Sequence, residues 1–97
     1  MENELKIIII EKVLESVKSF SIKDQDKIFG AVTALGKGKF DSVYVKHLTT
    51  EIKELKVKKY RLLFFIHKNE VYFVRIFIKK TNKAPKKEIE LAMKFYK

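Results

Sequence analysis

The chain contains no cysteine, which excludes disulfide staples, thiolate zinc sites and Cys nucleophiles. Tryptophan is absent too, and one proline and three glycines leave little to interrupt regular secondary structure. Long apolar runs are missing: residues 62–66 and 71–74 are the longest, far below the roughly 18 residues of a spanning helix. The opening Met1-Glu2-Asn3-Glu4 is acidic where a secretory leader would be basic, and the isoleucines from Ile7 to Ile10 are too few for a leader's apolar core. These absences predict a cytoplasmic protein with no membrane association. Arginine is scarce as well. Of 22 basic residues only Arg61 and Arg75 carry a guanidinium, the planar fork that suits phosphate.

What is present is lysine and a sizeable apolar fraction. The 97 residues are 46% hydrophobic, enough to bury a core, and a single core typically serves about 100–150 residues, so one domain over residues 1–97 is expected. Basic residues exceed acidic ones by 22 to 12, a formal charge of +10. The excess is uneven. Residues 1–50 carry 8 basic and 7 acidic side chains, whereas residues 51–97 carry 14 and 5. A near-neutral scaffold half and a cationic half facing a polyanion is the implied organisation.

Residues 5–10 are rich in β-branched isoleucine and read as a short strand, one longer helix from about Glu4 being the alternative. Ile10, Val13, Leu14 and Val17 then fall at helical spacing. Ser21-Ile22-Lys23-Asp24 resembles a capping box opening a second helix, with Ile28, Val32 and Leu35 on one stripe and Phe29 beside it. Gly36 is the expected left-handed cap of that helix, and residues 40–48 read as an extended connector. From Glu51 the period changes to that of strands, at residues 52–58, 60–67 and 71–78. Lys68-Asn69 is the expected hairpin turn, with Asn69 taking the positive φ. Residues 60–66 are apolar except at Arg61, which predicts a central strand covered on both faces. A last helix begins near Pro85 and is expected to bury Ile89, Ala92, Met93 and Tyr96. The order of elements is that of an α+β fold.

Most catalytic constellations fail on inspection. His47 and His67 lie far apart, with no carboxylate pair at ligand spacing, so no metal is expected. Gly36-Lys37-Gly38 lacks the Ser/Thr and the preceding strand of a phosphate loop. No nucleophile elbow supports serine hydrolase chemistry. Lys56, Lys58, Lys59 and Arg61 crowd one strand pair, and Lys79, Lys80, Lys83, Lys86 and Lys87 crowd the next loop and helix start. Such a run is either a solvated surface or a phosphate-binding one. Arg61, inside an apolar strand, must pair with an acid, for which Glu54 is the nearest choice, or meet a phosphate. A basic cleft could cleave RNA without a cofactor, because the ribose 2′-OH is the nucleophile and the protein need only orient it, stabilise charge and move protons. Arg61 with Lys79 or Lys80 suits the charge. Tyr60, His67, Glu54 or a lysine of lowered pKa could be the base.

The second half contains an ordered run: Lys46-His47-Leu48, then Glu51-Ile52-Lys53-Glu54-Leu55-Lys56-Val57, Tyr60-Arg61-Leu62-Leu63-Phe64, and Phe77-Ile78-Lys79-Lys80-Thr81-Asn82-Lys83-Ala84-Pro85-Lys86-Lys87-Glu88-Ile89-Glu90-Leu91-Ala92. This run resembles the HigB or phage-derived branch of the RelE/ParE toxin superfamily and covers about half the chain. The resemblance implies a RelE-like fold, a curved antiparallel sheet with two N-terminal helices and one C-terminal helix. It implies a type II toxin that enters the ribosome and cuts translated mRNA without metal, neutralised by a HigA-like helix-turn-helix antitoxin. By motif position Arg61, Lys79, Lys80 and Lys56 become the catalytic set, Lys56 standing where the family commonly has arginine. Lys53, Lys58, Lys59, Lys83, Lys86 and Lys87 become RNA-binding residues. The tyrosine or histidine that some relatives carry near the last helix has no counterpart, since Lys87, Glu88 and Ile89 occupy that region. A non-catalytic binder on the same fold is the alternative, whether a gyrase poison, a decayed toxin or an RNA- or ribosome-binding module.

Overall fold

β-branched and aromatic residues crowd the second half of the chain, and that half supplies most of a sheet. In a computed structural model, which describes residues 4–80 and 85–96, the order is β1 (Lys6–Ile9), α1 (Glu11–Lys18), α2 (Ile22–Gly36), a 3-10 turn at Phe40–Ser42, β2 (Tyr44–His47), β3 (Lys53–Val57), β4 (Tyr60–His67), β5 (Glu70–Ile78) and α3 (Lys86–Tyr96). The sheet order is β1-β5-β4-β3-β2. Strands β2 to β5 form an antiparallel meander, and β1 joins the β5 edge in parallel. The α+β architecture with two helices before the meander and one after it is the one expected.

Alternation sends successive residues of β4 to opposite sides. Leu62 and Phe64 join Leu55, Val57, Val71 and Phe73 in a core closed by Val13 and Val17 of α1 and Ile28, Val32 and Leu35 of α2. Leu63 and Phe65 join Ile52 and Val74 on the other side, under Ala92 of α3 with Ile89 and Met93 at its margin. The two cores explain why β4 is apolar on both faces. One irregularity interrupts the ladder: Phe64 pairs Phe73 but Leu63 pairs Arg75, so Val74 is an extra residue in β5. Such a bulge reverses the alternation beyond it.

Several local expectations need correction. Residues 40–48 are not an extended connector but the 3-10 turn followed by β2, whose Val45 packs at the margin of the first core. Gly36 is not the left-handed cap. It is the last helical residue, and an added Cβ would lie 2.5 Å from Ile7 Cδ1, so it is small because β1 crosses there; Gly38 has the positive φ, 79°. In the β4–β5 turn the positive φ falls on Lys68, 57°, rather than on Asn69. Tyr96 stays exposed, touching Phe65 edge-on.

The capping reading of Ser21 is the observed one, its Oγ accepting from the Asp24 N–H at 3.2 Å. Asp24 in turn ties α2 to the β3–β4 turn. Its carboxylate accepts from Lys58 Nζ at 2.8 Å and from the Tyr60 hydroxyl at 2.7 Å, while the Tyr60 ring stacks on Phe20 with centroids 4.4 Å apart.

Hydrogen bonds from Lys58 and Tyr60 hold the Asp24 carboxyl below its ordinary 3.8. The bond to Asp24 pushes the Tyr60 hydroxyl above its ordinary 10.0. A lowered folded pKa gives stability that is full above the unfolded value and lost as pH falls through the folded one; a raised folded pKa gives stability lost as pH rises through it. Thermal unfolding across pH should therefore show Asp24→Asn flattening the acid limb below pH 3.8 and Tyr60→Phe flattening the alkaline limb above pH 10.0. Limbs identical to wild type in both variants would remove the bracket from the stability of the fold.

Candidate nucleic-acid interface

Register alone aligns two rows across the sheet face that carries α3. Tyr44 pairs Lys56, Lys56 pairs Arg61 and Arg61 pairs Phe77. The adjacent row runs Lys46, Glu54, Leu63, Arg75. Arg75 Nε bonds Glu88 Oε1 at 2.6 Å, which fixes the start of α3 over β5. The β2–β3 side of the face is left open, as a hollow of about 280 Å³ lined by Tyr44, Val45, Lys46, Glu54, Lys56, Arg61 and Lys79. Lys79 reaches it because the extra residue at Val74 turns the odd-numbered end of β5 to this side, and its N–H continues the ladder to Lys59 O at 3.0 Å.

Charge in the hollow is only partly matched. Arg61 Nη1 donates to the carbonyls of Lys58 and Tyr60, each at 2.9 Å, which immobilises one edge of the guanidinium. Its Nε lies 3.9 Å from Glu54 Oε1, and Lys79 Nζ lies 3.8 Å from the same oxygen. Neither distance is that of a hydrogen bond. Glu54 is 3% exposed, and its Oε2 is buried with no hydrogen-bond partner among the described residues. One carboxylate thus sits among two near-buried cations, with Lys56 and Lys46 exposed at the rim. The Arg61–Glu54 pairing weighed from sequence is present, but as a loose contact that leaves cationic excess facing outward. Such a surface suits an anion.

Of the predicted residues, Arg61, Lys79 and Lys56 come together here. Lys80 is exposed and lies outside the lining. Lys53 points to the opposite face, where it borders an apolar hollow with Phe40, Val43 and Ile66. Lys58 is engaged by Asp24, and Lys59 Nζ lies 5.5 Å from the Tyr60 ring centroid. Lys86 and Lys87 are exposed in the first turn of α3, and Lys83 lies outside the described residues. Among the base candidates, Tyr60 is buried on Asp24 in the other core and His67 borders a separate aromatic hollow with Phe65, Tyr72, Phe95 and Tyr96. Glu54 lines the cationic one, beside the lysines at 46, 56 and 79. No group of His, Asp and Glu side chains fit for a metal ion occurs among the described residues. Sequence reasoning misses Tyr44, and takes Lys46 only as the start of the ordered run, because β2 reads as a connector, although their spacing around Val45 is the alternation of a strand.

A family model described as Phage derived protein Gp49-like (DUF891) matches residues 15–97. The chain belongs to this Gp49-like family. It is a RelE/toxin-like family, and the match takes in every residue of the cationic hollow while leaving β1 and the start of α1 outside. A search of curated proteins finds no match. No helix among the described residues of this Gp49-like chain is long and apolar enough to cross a membrane.

Glu54→Gln retains the shape of the side chain and removes the one negative charge that the described residues place in the hollow. In low salt it should lower stability, because Arg61 and Lys79 would then face each other with no carboxylate between them. Sulfate should then raise the melting temperature of Glu54→Gln more than that of wild type, and Arg61→Ala should lose the response. Equal sulfate shifts in all three proteins would show that the hollow does not take anions.

Proposed function

We propose that this Gp49-like protein is the toxin of a type II toxin–antitoxin system and a ribosome-dependent mRNA endonuclease. The observation that carries the reading is the meeting of Arg61, Lys79 and Lys56 around one open hollow whose single carboxylate leaves their charge unmatched. The reaction that suits it is transfer within RNA. The 2′-oxygen attacks the adjacent phosphorus, the bond to the 5′-oxygen breaks, and a 2′,3′-cyclic phosphate and a 5′-hydroxyl result. Negative charge grows on the non-bridging oxygens, where Arg61 and Lys79 act, since preorganised donors are strongest where charge develops. Arg61 suits this role because its backbone hydrogen bonds hold it in place before substrate arrives. Lys56 neutralises the neighbouring phosphate. Glu54 is the carboxylate at hand to accept the 2′-OH proton, the leaving 5′-oxygen taking a proton from solvent or a nearby ammonium.

Lys80, Lys58, Lys59, Lys86 and Lys87 lie outside the hollow and supply the wider field that brings a polyanion to it. Translated mRNA on the ribosome is the proposed substrate. A HigA-like helix-turn-helix antitoxin is the proposed partner.

Induced expression should stop growth and leave codon-phased cuts in translated messages. Arg61→Ala and Lys79→Ala should each slow cutting about 10²–10³-fold, the usual cost of one transition-state donor, whereas Lys80→Ala should change it far less. Mapping message 5′ ends in a translating extract checks this. Cutting by Arg61→Ala at the wild-type rate, or growth arrest with intact messages, would overturn the reading.

A further inference from the structure

Tyr44 is 76% exposed although it belongs to a strand. A lone exposed aromatic is ordinary; the position of this one is not. It stands on the outermost strand, in the cross-strand row that continues through Lys56 to Arg61, and it borders the hollow that Lys79 enters. Lys56 Nζ lies 5.8 Å from its ring centroid, so one cation already meets the ring. Neighbouring strands are about 4.8 Å apart, which sets the backbone of Tyr44 two strand spacings from that of Arg61. That separation is of the order of the distance from a phosphate to a base in the same single strand. Arg61 and Lys79 offer the phosphate seat, and Tyr44 offers an open π-face beside it.

We propose that Tyr44 is a stacking platform for one base of a single-stranded RNA whose phosphate rests on Arg61 and Lys79. The inference rests on the RNA-binding part of the reading above, not on cleavage. Stacking accepts any base, because every base has a π-face, so Tyr44 adds affinity and registers the strand without selecting its sequence. Lys56, between ring and guanidinium, bridges the two kinds of contact.

The test is binding of a short 2′-O-methylated single-stranded RNA, which cannot be cut, followed by fluorescence anisotropy on the whole protein. Tyr44→Ala should weaken binding about tenfold, within the range for loss of one base stack, and Tyr44→Trp should keep wild-type affinity. Scanning an abasic site along the RNA should reveal one position that costs wild type about tenfold and costs Tyr44→Ala nothing further, the signature of a shared interaction. Salt dependence should be unchanged in Tyr44→Ala and shallower in Arg61→Ala. Wild-type affinity in Tyr44→Ala, or an abasic penalty that persists in it, overturns the proposal. Message cutting is scored separately. Tyr44- and base-dependent binding by a protein that leaves messages intact supports the platform and overturns only the endonuclease reading.

Discussion

Strand β5 has one residue more than β4 can pair, and the site depends on it. Up to Phe73 the strand follows one alternation; after Val74 it follows the opposite one. The reversal puts Arg75 and Phe77 on the face of α3, and carries Lys79 to the same side as Arg61. Without the bulge Lys80 would occupy that side and Lys79 the other. A single inserted residue therefore decides which of two adjacent lysines meets the guanidinium, and it leaves Val74 as a core residue under α3. Bulges next to functional positions commonly act in this way, re-aiming a side chain without disturbing the rest of the ladder.

Electrostatics in the hollow follow from burial. Glu54 is almost wholly withdrawn from water, and a buried carboxylate is costly unless its partners repay the desolvation. Here the partners stand near 3.8–3.9 Å and one oxygen has none among the described residues. Closer contact would favour the isolated protein and cancel more of the field. The looser arrangement retains cationic charge at the surface, at a cost in stability that the two large apolar cores can offset. The more common arrangement is seen only a short way off, where Arg75 and Glu88 meet at hydrogen-bond distance.

Much of this was legible before any coordinates. Val13, Val17, Ile28, Val32 and Leu35 were readable as helix stripes because their spacing has one period throughout, and Leu62 to Phe65 as a central strand because apolar residues occupy both phases. Arg61 was conspicuous for the same reason, as the polar exception in that strand. The rest turned on facts that carry little sequence signal. A bulge at Val74 leaves no mark in a run of apolar residues, so the sequence could not choose between Lys79 and Lys80. Strand β2 is short and half exposed, and with it Tyr44 and Lys46 passed for loop. Gly36 and Gly38 are interchangeable as caps until the crossing of β1 shows which one needs to be small.

The parallel addition of β1 has a consequence for how the chain acquires its shape. Its residues pair with Glu70 through Phe73, so the first strand of the fold cannot be seated until the last one, β5, is available. The meander that bears Arg61, Glu54 and Lys56 is by contrast built from hairpins between sequence neighbours. Contacts of short sequence separation form early and distant ones late, which orders assembly from the hairpins outward. α1 and α2 have no complete surface to cover until β5 is present, because Val71 and Phe73 belong to the core they close. Nascent chains halted earlier keep their helical stripes uncovered, a state open to chaperone capture or aggregation.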